Sequence, residues 1–178
     1  LSPLTLKSFI KLLKEFTRTK GTNLEIILVG GLALYHYGMK DRITVDIDAE
    51  VKGDIEGLFS FLKQRGIPSD LGENMSGWSV VAMPPGYKER AEPIYKDERI
   101  VVKALNPLDF VVAKLRRGME DDLKDASFVV KRFNLKAKDI KKFAGEAINN
   151  SSKDTAIFIF RRTVDLFLKR LTKQGESQ

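Results

Sequence analysis

The 178-residue sequence predicts an α+β (α/β-like) fold: a small mixed β-sheet flanked by helices, followed by a C-terminal helical part. Three observations carry that prediction. "LEIILVGG" is a short β-branched run cut off by two glycines, which is the pattern of a buried strand entering a turn. "RITVDIDAEV" alternates strictly, so Ile43, Val45, Ile47, Ala49 and Val51 face one way while Thr44, Asp46, Asp48 and Glu50 face the other. After Asn106-Pro107 no proline recurs, and apolar residues keep helical spacing almost to the end.

The elements follow in order. Ser2-Pro3 has the form of an N-cap with proline at the first helical position. Leu6, Phe9, Ile10, Leu13 and Phe16 then hold helical spacing up to Gly21. "LALYHYG" gives a short helix closed by Gly38, and Asp54 caps another that carries Ile55, Leu58, Phe59 and Leu62 and ends at Gly66. Between residues 67 and 105 the helical pattern lapses. "GWSVVAMP" and "ERIVVKAL" predict strands around the connection "PPGYKERAEPIYKD". Helices are expected at about 107–118, 121–133, 137–149 and 153–172. The organisation that results is an α/β core with its N-terminal helix over 1–106, helices over 107–173 packing on or beside it, and a disordered tail at 174–178.

Composition bounds the function. An apolar share of 43% is enough for a true core, and the absence of cysteine excludes disulfides and thiolate metal sites. No apolar run approaches the roughly 18 residues that span a bilayer, and the N-terminus lacks a secretory pattern. The expectation is a cytoplasmic protein without a membrane partner. The net charge of +7 is uneven: residues 1–102 hold 14 Lys/Arg and 14 Asp/Glu, whereas residues 103–178 hold 17 and 10. That excess favours an anionic partner, such as RNA, near the C-terminal part. A lysine-rich surface that is merely well solvated gives the same count.

The chemistry concentrates in "VGGLALYHYGMKDRITVDIDAEV". Residues two apart on a strand share a face with Cα atoms about 6.5–7 Å apart. Asp46 and Asp48 therefore suit one divalent cation, or flank two ions about 3.5–4 Å apart. Mg²⁺ takes few carboxylates and completes its shell with water and phosphate oxygens. The Gly30-Gly31 pair ends a strand and opens a helix, so its backbone N–H groups suit a phosphate. Each half has a plainer reading, Asp-Ile-Asp as a solvated strand face and Gly-Gly as a tight turn. The pair does not fit a dinucleotide fingerprint, since Leu32 and Ala33 follow directly.

In combination, Gly30, Gly31, Ala33, Gly38, Arg42, Thr44, Asp46 and Asp48 resemble the signature of the nucleotidyltransferase superfamily of the DNA polymerase β type. The pattern is closest to the minimal bacterial and archaeal branch that includes the AbiEii-type toxins. "AKLRRGMEDDLKD" is similar to a later motif of that branch, with Lys114, Leu115, Gly118, Asp122 and Asp125 in register. Met119 and Asp121 depart from it, standing where Arg and Lys are usual.

The resemblance implies a transferase that moves an NMP group from an NTP to an acceptor with Mg²⁺ or Mn²⁺. In that case Asp46 and Asp48 hold metal, and Gly30, Gly31, Arg42 and Thr44 bind nucleotide. Lys114 meets substrate phosphate or a catalytic carboxylate, supported by Asp122 and Asp125. Asp122 would orient Lys114 from two turns away if one helix runs through Gly118. It further implies tRNA or another RNA as acceptor, and a toxin restrained by a cognate antitoxin.

The superfamily's third carboxylate has no secure counterpart: "GWSVVAMP" holds no acid, Glu98 stands at a strand edge, Glu89 and Glu92 lie in a loop, and Glu50 sits one step beyond Asp48. The alternative is a degraded member that binds nucleotide, RNA or a partner protein without catalysis. His36 has no second histidine or cysteine with which to share a zinc ion. Trp78 is expected as a core or pocket-wall residue, and Arg161-Arg162 as a pair facing solvent or RNA.

Overall fold

Thr5 opens the first helix, α1 (Leu6–Lys20): its side chain accepts from the Ser8 N–H while Ser8 returns a bond to the Thr5 backbone. The cap expected at Ser2 is thus made by Thr5; Ser2 itself lies outside the described residues. Gly21, at φ 66°, closes the helix in the left-handed conformation that glycine adopts without strain. The computed structural model describes residues 3–41 and 43–175.

The chain continues through β1 (Leu24–Leu28), α2 (Gly31–His36), β2 (Ile47–Lys52), α3 (Ile55–Gln64), β3 (Ser69–Gly72), α4 (Tyr87–Arg90), β4 (Glu92–Lys96) and β5 (Ile100–Ala104). Four helices follow, α5 (Pro107–Arg117), α6 (Glu120–Arg132), α7 (Ala137–Asn149) and α8 (Ala156–Gly175). The expected α+β architecture is present, a mixed five-stranded sheet with flanking helices and a C-terminal helical region. The last two residues of α8 occupy the start of the expected tail, whose remainder lies outside the described residues. No helix among the described residues is long and apolar enough to cross a membrane.

Two compact units divide the chain: Leu1–Met75 with Lys88–Leu105, and Ser76–Tyr87 with Asn106–Gln178. The first holds the sheet, in the order β3-β2-β1-β5-β4. β1 pairs antiparallel with β2 and parallel with β5; β2 and β3 are parallel, β4 and β5 antiparallel. One sheet face carries Ile26, Leu28, Ile47, Ala49 and Val102, all wholly buried. Phe9, Leu13 and Phe16 of α1 and Leu58 and Leu62 of α3 are equally buried, the helical stripes that their spacing predicts. Phe16 meets Phe61 edge-on, with centroids 5.3 Å apart.

Three sequence expectations fail here. β2 begins at Ile47, not at the head of the alternating run: Ile43 is 72% exposed while Thr44 is buried. The alternation inverts because Thr44, not Ile43, is the residue packed against Gly31. "GWSVVAMP" forms no strand: Met75–Trp78 is a 3₁₀ turn and the residues after it are irregular. "EPIYK", read as part of a connection, is instead the edge strand β4.

In the helical unit α5 touches α6, α7 and α8, and it is buried along almost its whole length. The Asn106 side chain caps it by accepting from the Leu108 N–H at 3.1 Å, with Pro107 in the first turn as expected. The irregular segment 76–83 is held by side chains in place of a ladder. Arg116 donates to the carbonyls of Val81 at 2.6 Å and Ser76 at 3.0 Å. Ser151 accepts from the Ala82 N–H at 2.8 Å, and Asn150 donates to the Met83 carbonyl at 3.2 Å. These bonds answer the backbone groups that a strand would have paired, so the sequence's β-branched residues are outvoted.

Burial pulls the Arg116 guanidinium down to about 10. The Arg116→Ala variant should lose about 2 kcal/mol of stability, since it leaves two carbonyls without their charged donor. Urea denaturation measures this; a midpoint equal to that of the wild-type protein would show that the strap 76–83 contributes nothing.

Candidate active site

β1 and β2 run antiparallel, so the end of β1 and the beginning of β2 come to the same edge of the sheet. Leu28 lies opposite Ala49, and the Val29 N–H donates to the Asp48 carbonyl at 3.1 Å. Gly30 and Gly31 follow at once and stand directly against the segment that leads into β2. A Cβ on Gly30 would lie 2.0 Å from Oδ2 of Asp48, and one on Gly31 would lie 2.2 Å from Oγ1 of Thr44. No residue with a side chain fits either place without moving its neighbour. The Gly30 carbonyl then accepts from Ala33 and Leu34, which starts α2 within one residue of the carboxylate. Gly38 ends this short helix at φ 106°, a conformation that side chains other than hydrogen rarely take.

Along this edge Asp46 is exposed and Asp48 half-buried. Thr44 is 4% exposed, and its Oγ1 has no hydrogen-bond partner among the described residues. An unspent buried hydroxyl beside a glycine turn is costly, which marks it as a group that a ligand could satisfy. The expected nucleotide residue Arg42 lies outside the described residues. Gly30, Gly31, Thr44, Asp46 and Asp48 are thus gathered at one sheet edge.

Glu50, next on the same face, is spoken for. Its carboxylate is 2.5 Å from Lys88 Nζ and accepts from the Met75 N–H at 2.9 Å, and the residue is 5% exposed. It fastens the residues after β3 and those of α4 to the sheet. Between these elements lies a cleft of about 440 Å³, lined by Glu25, Ile27, Glu50, Lys88 and Lys103 among others. Lys103 sits 2.5 Å from Glu25, and that hydrogen bond holds the Glu25 carboxyl below its usual range.

One further acid at this edge, Asp70, has no local signal in the sequence. β3 is parallel to β2 with Asp70 paired to Asp48, so the two carboxylates point to one face from neighbouring strands. "SDLG" is too short and polar to signal a strand; only its pairing with β2 makes it one. Among the described residues no three or more His, Cys, Asp or Glu side chains gather into a group able to hold a metal. Glu98 stands in the β4–β5 turn, at the sheet end where β1 starts, and Glu92 on the far edge strand.

Lys114, Asp122 and Asp125 belong to the helical unit. α5 stops at Arg117, and Gly118 reverses the chain at φ 66°. Asp122 therefore does not lie two turns along one helix from Lys114, as a continuous helix would put it. It stands on α6 and faces Lys114 across a helical hairpin. The Lys114 ammonium is 3.2 Å from Asp122 and 2.9 Å from Asp125, and all three residues are buried. Arg117 reaches the other oxygen of Asp122 at 3.3 Å. Of the two departures from the motif, Met119 is 64% exposed at the turn and Asp121 pairs with Lys124 at 3.1 Å. Trp78, expected within the core or a pocket wall, is 40% exposed, and His36 is exposed.

Residues 5–158 match the family model described as a nucleotidyltransferase of unknown function (DUF6036). No curated protein and no solved structure matches the chain. The matched span includes every residue of the glycine–aspartate edge and the Lys114 cluster.

Two substitutions test this geometry. Gly30→Ala should displace the Asp48 carboxylate and cost about 1–3 kcal/mol through overpacking. A crystal structure of that variant with Asp48 unmoved, together with unchanged stability, would contradict the close fit. Lys114→Met removes the cation between two buried carboxylates and should cost about 3–5 kcal/mol. Chemical denaturation decides the second case, where a loss under about 1 kcal/mol would mean that Arg117 alone neutralises the cluster.

Proposed function

The chain belongs to this family of nucleotidyltransferases, and from that premise we propose that it moves an NMP group from an NTP to an acceptor hydroxyl. The observation that carries the proposal is the close fit of Gly30 and Gly31 against Asp48 and Thr44. It brings backbone N–H groups, a half-buried carboxylate, an exposed carboxylate and an unspent hydroxyl to one sheet edge. Nucleotidyl transfer needs this combination, since it is largely a matter of positioning and charge.

In the reaction the acceptor oxygen bonds to the α-phosphorus while the bond to the bridging oxygen of the β-phosphate breaks, and pyrophosphate leaves. The hydroxyl proton passes to a carboxylate or to water. Asp46 and Asp48 fit Mg²⁺ or Mn²⁺, because two acids two residues apart suffice when phosphate and water supply the other ligands. Such an ion, when bound, neutralises phosphate charge and polarises the reacting oxygens. The Gly30 and Gly31 backbone and the Thr44 hydroxyl would orient phosphate, with Arg42 adding charge. Asp70 is the further acid on the same face, in place to assist Asp48. Lys114, whose charge Asp122 and Asp125 hold in the free chain, would offer a cation to substrate phosphate.

The likeness to the AbiEii-type branch extends the proposal to tRNA or another RNA as acceptor, and to a toxin held in check by a cognate antitoxin. The basic excess after residue 102 supports an RNA acceptor. A second reading has one observation in its favour. Glu50, a further acid on the Asp48 face, is held by Lys88 and the Met75 N–H, and on this reading the protein would bind nucleotide, RNA or a partner protein without turnover.

Incubation with each labelled NTP, Mg²⁺ and total RNA should label RNA or the protein. In the Asp46→Asn/Asp48→Asn variant the rate should fall by about 10³-fold or more, since charge stabilisation of the transition state is lost. Labelling that survives in this variant would refute the site. NTP binding by calorimetry with no label transferred would establish the second reading.

A further inference from the structure

The last helix, α8, presents a face that the nucleotidyl-transfer site does not use. Its inward residues Phe160, Val164 and Phe167 are buried at 3%, 4% and 2% exposure, so its apolar stripe is spent on the helical unit. The opposite side carries Phe158, Arg162, Leu166, Lys169 and Lys173, which follow one another in steps of three or four. These form one stripe about 22 Å long at the helical rise. Phe158 and Ile159 are 72% and 70% exposed. Arg162 and Lys169 have no ion-pair partner among the described residues, and Arg170 only grazes Glu120 at 4.0 Å. From Lys131 to Lys173 the chain carries twelve Lys/Arg against four Asp/Glu, an excess of eight that exceeds the net charge of the whole protein.

We propose that this outward face of α8 docks single-stranded RNA, with Arg162, Lys169 and Arg170 on its phosphates and Phe158 stacked on a base. Charge decides the class of partner, because a run of exposed cations raises the local concentration of a polyanion. The pattern decides among polyanions. A helix that lies in a lipid surface needs a continuous apolar side, whereas here cations separate Phe158 from Leu166 and Leu166 from the helix end. An exposed ring among basic side chains is instead the arrangement that holds unpaired bases. The family match ends at residue 158, so all of these residues but Phe158 lie beyond it. The RNA would be the acceptor of the transfer proposed above, on which this inference builds.

The test uses the full chain and a fluorescein-labelled, unstructured oligouridylate of about 20 nucleotides, a length that exceeds the usual site size. Anisotropy is followed from about 50 to 200 mM salt. Arg162→Ala/Lys169→Ala/Arg170→Ala should weaken binding at least about tenfold and reduce the log–log salt slope by about 2, as three lost phosphate contacts require. Phe158→Ala should weaken it about tenfold with the slope unchanged, because stacking releases no counterions. Circular dichroism confirms that each variant is folded.

RNA binding that is absent from the wild-type chain, or unaltered in these variants, would overturn the proposal. So would equal or stronger binding to phosphatidylserine vesicles or to polyglutamate. Asp46→Asn/Asp48→Asn should still bind RNA, which separates the two proposals. RNA bound through α8 with no nucleotide transferred sinks only the transfer, while transfer that ignores the α8 variants sinks only this surface.

Discussion

Everything at the candidate site depends on a steric constraint, the contact of two glycines with the side chains of Thr44, just before β2, and Asp48, near its start. Antiparallel pairing of β1 and β2 brings the end of one strand to the start of the other, and the turn must then pass beside Asp48 and Thr44. Only residues without a Cβ can do so. The same contact explains why Thr44 is buried and Ile43 exposed, against the alternation of the run, and why α2 begins beside a carboxylate. A local rule of strand periodicity yields to packing at the point where chemistry is proposed, as functional sites commonly show.

Buried charge is the second theme, and each unit handles it internally. In the sheet unit, Glu50 is matched by Lys88 and a backbone N–H. In the helical unit, Lys114 is shared by Asp122 and Asp125, and Arg116 spends its donors on two carbonyls. Such groups add little net stability relative to apolar replacements, yet losing one member strands the other in a poorly solvated place. They therefore fix geometry more than they strengthen the fold. Glu50 shows the consequence: by position it is a third acid on the Asp48 face, and by contact it is a fastener for α4.

Much of this was legible in the chain because it rests on local pattern. The Gly-Gly pair after a β-branched run, the Asp54 and Asn106 caps, the Gly21 termination and the apolar spacing of the C-terminal helices each follow from short-range stereochemistry. The order of motifs from Gly30 to Asp48 was enough to point to a nucleotidyltransferase, which the family match supports. Residues whose state depends on distant partners were not legible. "SDLG" is a strand only because β2 offers a ladder, and "GWSVVAMP" is not one because Arg116, Asn150 and Ser151 satisfy its backbone first.

The sequence by itself determined the longer helices, the strands β1 and β5, the division of charge and the set of acids and glycines from which a site could be built. These depend on backbone sterics and periodicity, which act within a few residues. The tertiary structure alone decided that Asp70 stands beside Asp48, that Glu50 is engaged, and that Asp122 meets Lys114 across a reversed chain. Strand register and helix reversal set those relations, and both are fixed by packing between segments whose separation along the chain carries no signal of their closeness in space.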